Sequence, residues 1–155
     1  MQLRFSTSQI KVLLVFVAFL FLQNTYSQTE SETIKSAFSD ASLNTRGKLV
    51  DEGNGRFRFD FHDVYESDSK AKYLQGLGYH GGGPSWLGII YGAFKIGEND
   101  LIDSIDMNVE VTGVTFYSAT KDQLDSIQRV ITLVKSNEQL LLKAIDKAKE
   151  FDMML

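Results

Sequence analysis

The sequence predicts an α+β fold, an antiparallel sheet of about four strands with helices packed on one face. Two pairs of short segments, 45–50 with 56–61 and 101–110 with 112–118, have the alternating polar and apolar residues typical of half-buried strands. Each pair is followed by two segments with apolar residues at helical spacing. The order hairpin, two helices, hairpin, two helices favours one antiparallel sheet covered by helices.

The first 27 residues have the three parts of a secretory signal peptide. A basic start without acids precedes an unbroken run of eleven apolar residues, Val12–Leu22. Small residues, Thr25 and Ser27, then fit the positions before a signal peptidase cut, which we place after Ser27. A membrane-spanning helix needs about 20 apolar residues. We therefore predict an exported, periplasmic or extracellular protein with no stable membrane anchor after cleavage.

The segment behind the signal, 28–155, has the size of one domain. We expect a flexible N-terminal segment at 28–43 and a single α+β domain at 44–155. Cleavage removes Arg4 and Lys11 but no acid, so the net charge of −4 becomes −6. An acidic balance disfavours a nucleic-acid partner and is compatible with a basic protein partner. The chain has no cysteine, which excludes thiol catalysis and cysteine-bound zinc.

The first predicted hairpin has the clearest strand pattern in the chain. Its turn is 51–55, where Asn54-Gly55 is a strong hairpin signal. In 56–61 three phenylalanines alternate with two arginines and an aspartate. One face of this strand is therefore predicted to be core and the other solvated.

Two helices are predicted after this hairpin, at 68–77 and 84–96. Ser67 or Asp68 is the expected cap of the first. A glycine-rich loop, Gly78–Gly83, separates it from the second, which is apolar nearly all round and is expected to be mostly buried.

The second predicted hairpin carries four acids, and two helices follow it. The acids are Asp100, Asp103, Asp106 and Glu110. They form either a solvated sheet face or an acidic binding surface. The patterns Thr120-x-x-Gln123 and Ser136-x-x-Gln139 resemble capping boxes and predict the starts of the last two helices.

No pattern in the chain is specific for catalysis, a metal or a cofactor, and none of these is predicted. The only histidines are His62 and His80, and neither lies in a metal-ligand spacing. The glycine loop matches Gly-x-Gly-x-x-Gly by count but follows a helix, whereas a dinucleotide site follows a strand. Trp86, the only tryptophan, is either a core anchor or an exposed aromatic of a binding surface.

The glycine loop and the second hairpin together resemble the immunity protein 51 family of bacterial polymorphic toxin systems. Gly78-Tyr79, then Gly83-Pro84-Ser85-Trp86, resembles that family's "GY…GNGYDW" segment. The segment Asn108–Val111 and the strand Val114–Ser118 are similar to its "DPEA" step and "FCAYS" strand. The resemblance covers roughly residues 45–150. It implies a stoichiometric inhibitor that binds a cognate toxin protein and needs no catalytic residues.

The resemblance and the predicted signal peptide together imply an immunity-like protein, not an enzyme, that neutralises a toxin outside the cytoplasm. The residues expected to bind the partner are Tyr79, His80, Trp86, Asp106 and Glu110. The alternative is a secreted module that binds a small ligand or carbohydrate with Trp86 and the glycine loop. The sequence does not predict the oligomeric state.

Overall fold

The computed structural model describes residues 29–43 and 45–155, which form one antiparallel sheet and six helices. The elements are α1 (29–37), β1 (Lys48–Gly53), β2 (Arg56–Phe61), α2 (Ala71–Gly76), α3 (Gly83–Ile96), α4 (Leu101–Ser104), β3 (Asp106–Val109), β4 (Val114–Ser118), α5 (Lys121–Ser136) and α6 (Glu138–Lys149). The strand order is β1-β2-β4-β3. The predicted α+β class with four antiparallel strands is confirmed. The signal peptide predicted at 1–27 lies outside the described residues and stays a prediction.

One face of the sheet packs against the helices and forms part of the hydrophobic core. Phe59 pairs with Phe116 across β2 and β4, and both rings are buried and stacked. Helix α3 contacts this face where Trp86 meets Phe61 edge to face at 5.1 Å. Helix α5 contacts the same ring through Lys135, 5.9 Å from its centroid. Both helices therefore pack on the face formed by the alternating phenylalanines of β2.

The opposite face of the sheet carries charged side chains joined in ion pairs. Arg58 contacts Glu52 at 2.8 Å and Asp60 at 3.1 Å. Arg56 lies over the ring of Tyr117, 4.3 Å from the centroid. The division predicted from the alternation of β2 into a core face and a wet face is therefore present in the structure.

Helix α1 begins the described part of the chain and packs on the core. Ile34 and Ala37 are buried, and the Phe38 ring lies 5.0 Å from that of Phe94. The Phe38 carbonyl accepts hydrogen bonds from Ser126 and Arg129 of α5. These contacts hold the end of α1 against α3 and α5.

The strand predicted at 101–110 is wrong in its first half. Residues Leu101–Ser104 form the short helix α4, and β3 covers only Asp106–Val109. The Asn99 side chain accepts from the Leu101 amide at 2.9 Å and starts a helical turn. Ile102 and Ile105, three residues apart, then both reach the core, as helical spacing allows.

Two of the three predicted helix caps are wrong, and the third, Thr120, is right in position but not in its bond. Helix α2 begins at Ala71, later than predicted, and its N-cap residue is Lys70, which makes no side-chain capping bond. The Asp68 carboxylate instead contacts Arg46 at 2.8 Å. Thr120 precedes α5 but makes no capping bond. The cap of α6 is Asn137, one residue after the predicted Ser136, and its side chain accepts from the Leu140 amide.

Candidate functional site

The glycine loop is packed tightly against the turn that joins β3 to β4. The Gly83 amide donates to the Val111 carbonyl at 3.1 Å. A Cβ on Gly83 would lie only 2.0 Å from the Glu110 carbonyl and 2.2 Å from that of Gly113. The first turn of α3 can therefore reach the hairpin only where side chains are absent, which is the structural reason for glycine here.

The same loop holds the last described residue of the chain. The His80 amide and the Ser85 hydroxyl donate to the Leu155 carbonyl at 3.0 and 2.7 Å. The Ser85 hydroxyl also accepts from the Gly81 amide at 2.9 Å. The Gly82 amide donates to His80 Nδ1 at 3.2 Å. The amides of the loop that would otherwise suit an anion are thus engaged by groups of the protein itself.

On the other side of the hairpin turn lies the segment that follows β2. His62 Nδ1 is 3.1 Å from the Thr112 hydroxyl, and the His62 ring lies 5.8 Å from that of Tyr65. A Cβ on Gly113 would meet His62 Nδ1 at 2.4 Å. His62 therefore packs directly on the turn.

These contacts link six residues around the hairpin turn, and we call this group the turn face. It consists of His62, Tyr65, His80, Val111, Thr112 and Leu155. Tyr65, Val111 and Leu155 are 75%, 71% and 71% exposed, the highest values among the large apolar side chains of the described residues. Large apolar side chains gathered on an exposed surface are typical of a protein-binding site.

A buried ion cluster fixes the segment that carries His62 and Tyr65. The ammonium group of Lys135 and the carboxylate of Asp63 are both fully buried, 2.5 Å apart. The second Asp63 oxygen accepts from the Ser69 hydroxyl and the Lys70 amide at 3.0 and 2.8 Å. Lys135 also contacts Glu66. The segment after β2 is therefore tied to α5 by charge.

At the solvent side of this cluster, Arg46 contacts both Glu66 and Asp68. The hydrogen bond from Arg46, with a second from Lys135, lowers the pKa of Asp68 to about 2. Asp68 is therefore charged at neutral pH and pairs with both Arg46 and Lys135.

Three of the five predicted site residues lie beside the turn face or in it. His80 is exposed and belongs to it. Tyr79 is half-buried next to it, with the Lys149 ammonium 5.8 Å from its ring. Glu110 is exposed in the hairpin turn, where its amide donates to the Gly113 carbonyl at 2.9 Å.

Asp106 is separated from these residues by the length of β3. It is exposed, and Arg56 lies 3.7 Å from its carboxylate. It lines an open cleft of about 380 Å³ together with Arg56, Tyr117 and Gln123. The structure therefore does not bring Asp106 and the glycine loop into one site.

Trp86 is a core residue and must be withdrawn from the predicted binding set. Its side chain is 0% exposed and packs against Phe61. The helix that carries it begins at the glycine loop, and the indole points into the core under the sheet. Its ring is not accessible to a partner or a ligand in the folded protein.

The alternative of a ligand module built on Trp86 loses its basis with this placement. Trp86 lines neither of two open clefts in the described part of the chain. The larger, of about 410 Å³, lies between α1, α3 and α6. Its lining is charged, and Lys95 there is paired with Asp100 and Asp103.

The most exposed residues of the turn face are not among the site residues predicted from the sequence. Val111 lies between the predicted strands 101–110 and 112–118, and Tyr65 and Leu155 belong to no pattern. Exposure of an apolar side chain depends on what packs over it, which local sequence does not encode. The available signal was the length of the apolar alternation, which continues past the end of β3 to Val111.

Comparisons with known proteins identify no relative. No family model, curated protein or solved structure matches this chain. Among residues 29–43 and 45–155, no group of histidines and acids has the arrangement of a metal site. No helix within these ranges is long and apolar enough to cross a membrane.

Proposed function

We propose that this protein is a stoichiometric binding protein that recognises another protein through the turn face. The observation that carries the proposal is that the three most exposed large apolar side chains of the described chain lie along one series of contacts around the hairpin turn. Apolar and aromatic side chains of this kind supply most of the binding energy in protein interfaces. Two histidines and Glu110 provide polar groups beside them.

We further propose that the partner is a bacterial toxin and that the protein is immunity-like. The support is the resemblance of the glycine loop and second hairpin to the immunity protein 51 family. In the structure these two segments are in direct contact, and the turn face is built on them. The acidic balance of the chain favours a basic partner.

We propose that the protein acts outside the cytoplasm. This proposal is supported by the signal-peptide pattern in the sequence of residues 1–27. The proposal is tested by expressing the full chain in a bacterium and sequencing the N-terminus of the periplasmic or secreted product. It should begin at Gln28, and a product that keeps the apolar run in the cytoplasm would contradict export.

The functional proposal is tested with the toxin domains encoded beside the gene. Purified protein titrated into such a toxin should abolish its activity linearly, with the endpoint at about one molecule per toxin. An endpoint far below that ratio would indicate an enzyme. Failure to inhibit any neighbouring toxin would contradict the toxin assignment.

The role of the turn face is tested by a double variant, Tyr65→Ser with Val111→Ser. Both side chains are largely exposed, so stability should change by less than about 0.5 kcal/mol each. Binding should weaken by at least about tenfold, which corresponds to about 1.4 kcal/mol. The matched control is Leu142→Ser, an exposed apolar residue of α6 outside the turn face, which should bind normally.

A further inference from the structure

Strand β3 lies at one edge of the sheet, and β4 is its only strand partner among the described residues. The Glu110 amide donates to the Gly113 carbonyl, so these two residues form a hydrogen-bonded pair at the end of the hairpin. Pairs along an antiparallel ladder alternate between bonded and non-bonded. The residues that direct their amide and carbonyl groups away from β4 are therefore Met107 and Val109.

The two edges of the sheet differ in their suitability for another strand. The edge strand β1 has a register shift between Asp51 and Gly53, and Gly53 has a φ of 77°. Such an irregularity disrupts the row of groups that a further strand would need. The register of β3 with β4 has no shift, so its outer edge is regular.

The side chains of β3 and the following turn divide into an acidic and an apolar row. Asp106, Asn108 and Glu110 are exposed on the wet face of the sheet. Val109, on the other face, is 39% exposed, and Val111 in the turn that follows is 71% exposed. An added strand would therefore meet carboxylates on one face and uncovered valines on the other.

We propose that the outer edge of β3 binds an extended segment of the partner protein, which joins the sheet as a fifth strand. The segment carries basic side chains toward Asp106 and Glu110 and apolar side chains toward Val109 and Val111. This inference rests on the proposed function and specifies how the partner is recognised. Backbone hydrogen bonds supply affinity in this mode, and the alternating side chains supply specificity.

Charge disfavours a second copy of this chain as the occupant. An antiparallel pairing of two β3 strands that uses both Met107 and Val109 places Met107 opposite Val109. It also places Asp106 of each copy opposite Glu110 of the other. Like charges directly opposite each other destabilise a strand pair, whereas basic side chains opposite Asp106 and Glu110 would stabilise it.

The test uses two short peptides with blocked ends, one alternating valine with lysine and one alternating valine with glutamate. The readout is amide hydrogen exchange of the folded protein by NMR. The lysine peptide at about ten times its Kd should slow exchange at Met107 and Val109 about tenfold. The glutamate peptide should leave both rates unchanged. Equal effects of the two peptides, or no effect of either, would overturn the inference.

Two variants sharpen the test. Val109→Pro removes an outward amide while leaving the ladder to β4, and proline is tolerated on an edge strand, so the lysine peptide should no longer bind. If that variant does not fold, the double variant Asp106→Lys with Glu110→Lys provides the test. Both positions are exposed, so this variant should fold. It should bind the glutamate peptide and not the lysine peptide. If the double variant still preferred the lysine peptide, the assignment of the basic side chains to the face of Asp106 and Glu110 would be contradicted.

This inference can fail separately from the proposed function. Stoichiometric inhibition of a toxin with unchanged exchange at Met107 and Val109 in the complex would remove the edge site and leave the function. Binding of the lysine peptide at this edge without inhibition of any toxin would keep the edge site and remove the toxin assignment.

Discussion

Gly83 illustrates at the residue scale how the turn face is held together. It starts α3 and touches two carbonyl groups of the hairpin turn, so no side chain fits between them. We expect Gly83→Ala to lower the free energy of unfolding by about 1–3 kcal/mol, the usual cost of overpacking. Urea unfolding measures this.

The matched control for that change is Gly76→Ala. A Cβ on Gly76 meets nothing within 4 Å, and Gly76 is the last residue of α2. Alanine there should leave stability unchanged or raise it by up to about 1 kcal/mol. Equal effects of the two variants would show that the loop and the turn are not in close contact.

Asp68 gives the protein an acid-sensitive contact. The hydrogen bond from Arg46 lowers its pKa to about 2, below the ordinary value of 3.8. A carboxylate with a lowered folded pKa contributes stability that is present above the unfolded value and is lost as the pH falls through the folded one. The contribution of Asp68 is therefore lost between about pH 4 and pH 2.

The corresponding prediction concerns Asp68→Asn. This variant should be slightly less stable than the parent protein at pH 7, and the difference should disappear by about pH 2. Thermal unfolding at a series of pH values measures both curves. A difference that is constant from pH 7 to pH 2 would contradict the role of the Asp68 charge.

At the scale of elements, the ion cluster joins α5 to the segment after β2. The Lys135 ammonium and the Asp63 carboxylate form an ion pair in which both side chains are fully buried. Lys135→Met leaves that buried carboxylate without its cation, and breaking such a pair costs about 3–5 kcal/mol. We expect urea unfolding to show a loss of this size.

The control for Lys135→Met is Lys121→Met on the same helix. Lys121 is half-exposed and pairs with Asp125 one turn away. Surface pairs of this kind contribute about 0–1 kcal/mol. A comparable loss in both variants would mean that Lys135 is not buried with its partners as described.

Elements with a strong periodicity of apolar residues were predictable from the sequence, and elements whose structure depends on tertiary contacts were not. The alternation of residues 56–61 predicted β2 with its correct bounds and both its faces. In contrast, 101–104 was predicted as strand, because Ile102 and Ile105 were counted with the apolar residues that follow. The actual turn of helix depends on Asn99 and on packing under α3, which local periodicity does not contain.

The candidate site was only partly predictable for a related reason. The glycine loop and Glu110 were chosen from sequence, and the structure brings their segments together. Trp86 was chosen from the same segment but is buried, because the first turn of α3 directs it into the core. Which side of a short helix faces solvent is decided by its neighbours, and that information is not in the loop sequence.

At the scale of the whole molecule, the two ends of strand β3 have different roles. Asp106 lies at the cleft beside Arg56, and the other end of the strand leads into the turn face. The glycine loop supports the turn from one side and His62 supports it from the other. Helix packing, the ion cluster and the last described residue thus all fix the surface that we propose binds the partner.

Hydrogen–deuterium exchange of the protein alone and in a one-to-one complex with an inhibited toxin tests whether the turn face and β3 bind the partner. Binding there should protect residues 62–65 and 106–113, with little change in α5 and in the cleft between α1 and α6. Protection confined to α5, α6 or that cleft, with unchanged exchange at 106–113, would contradict it.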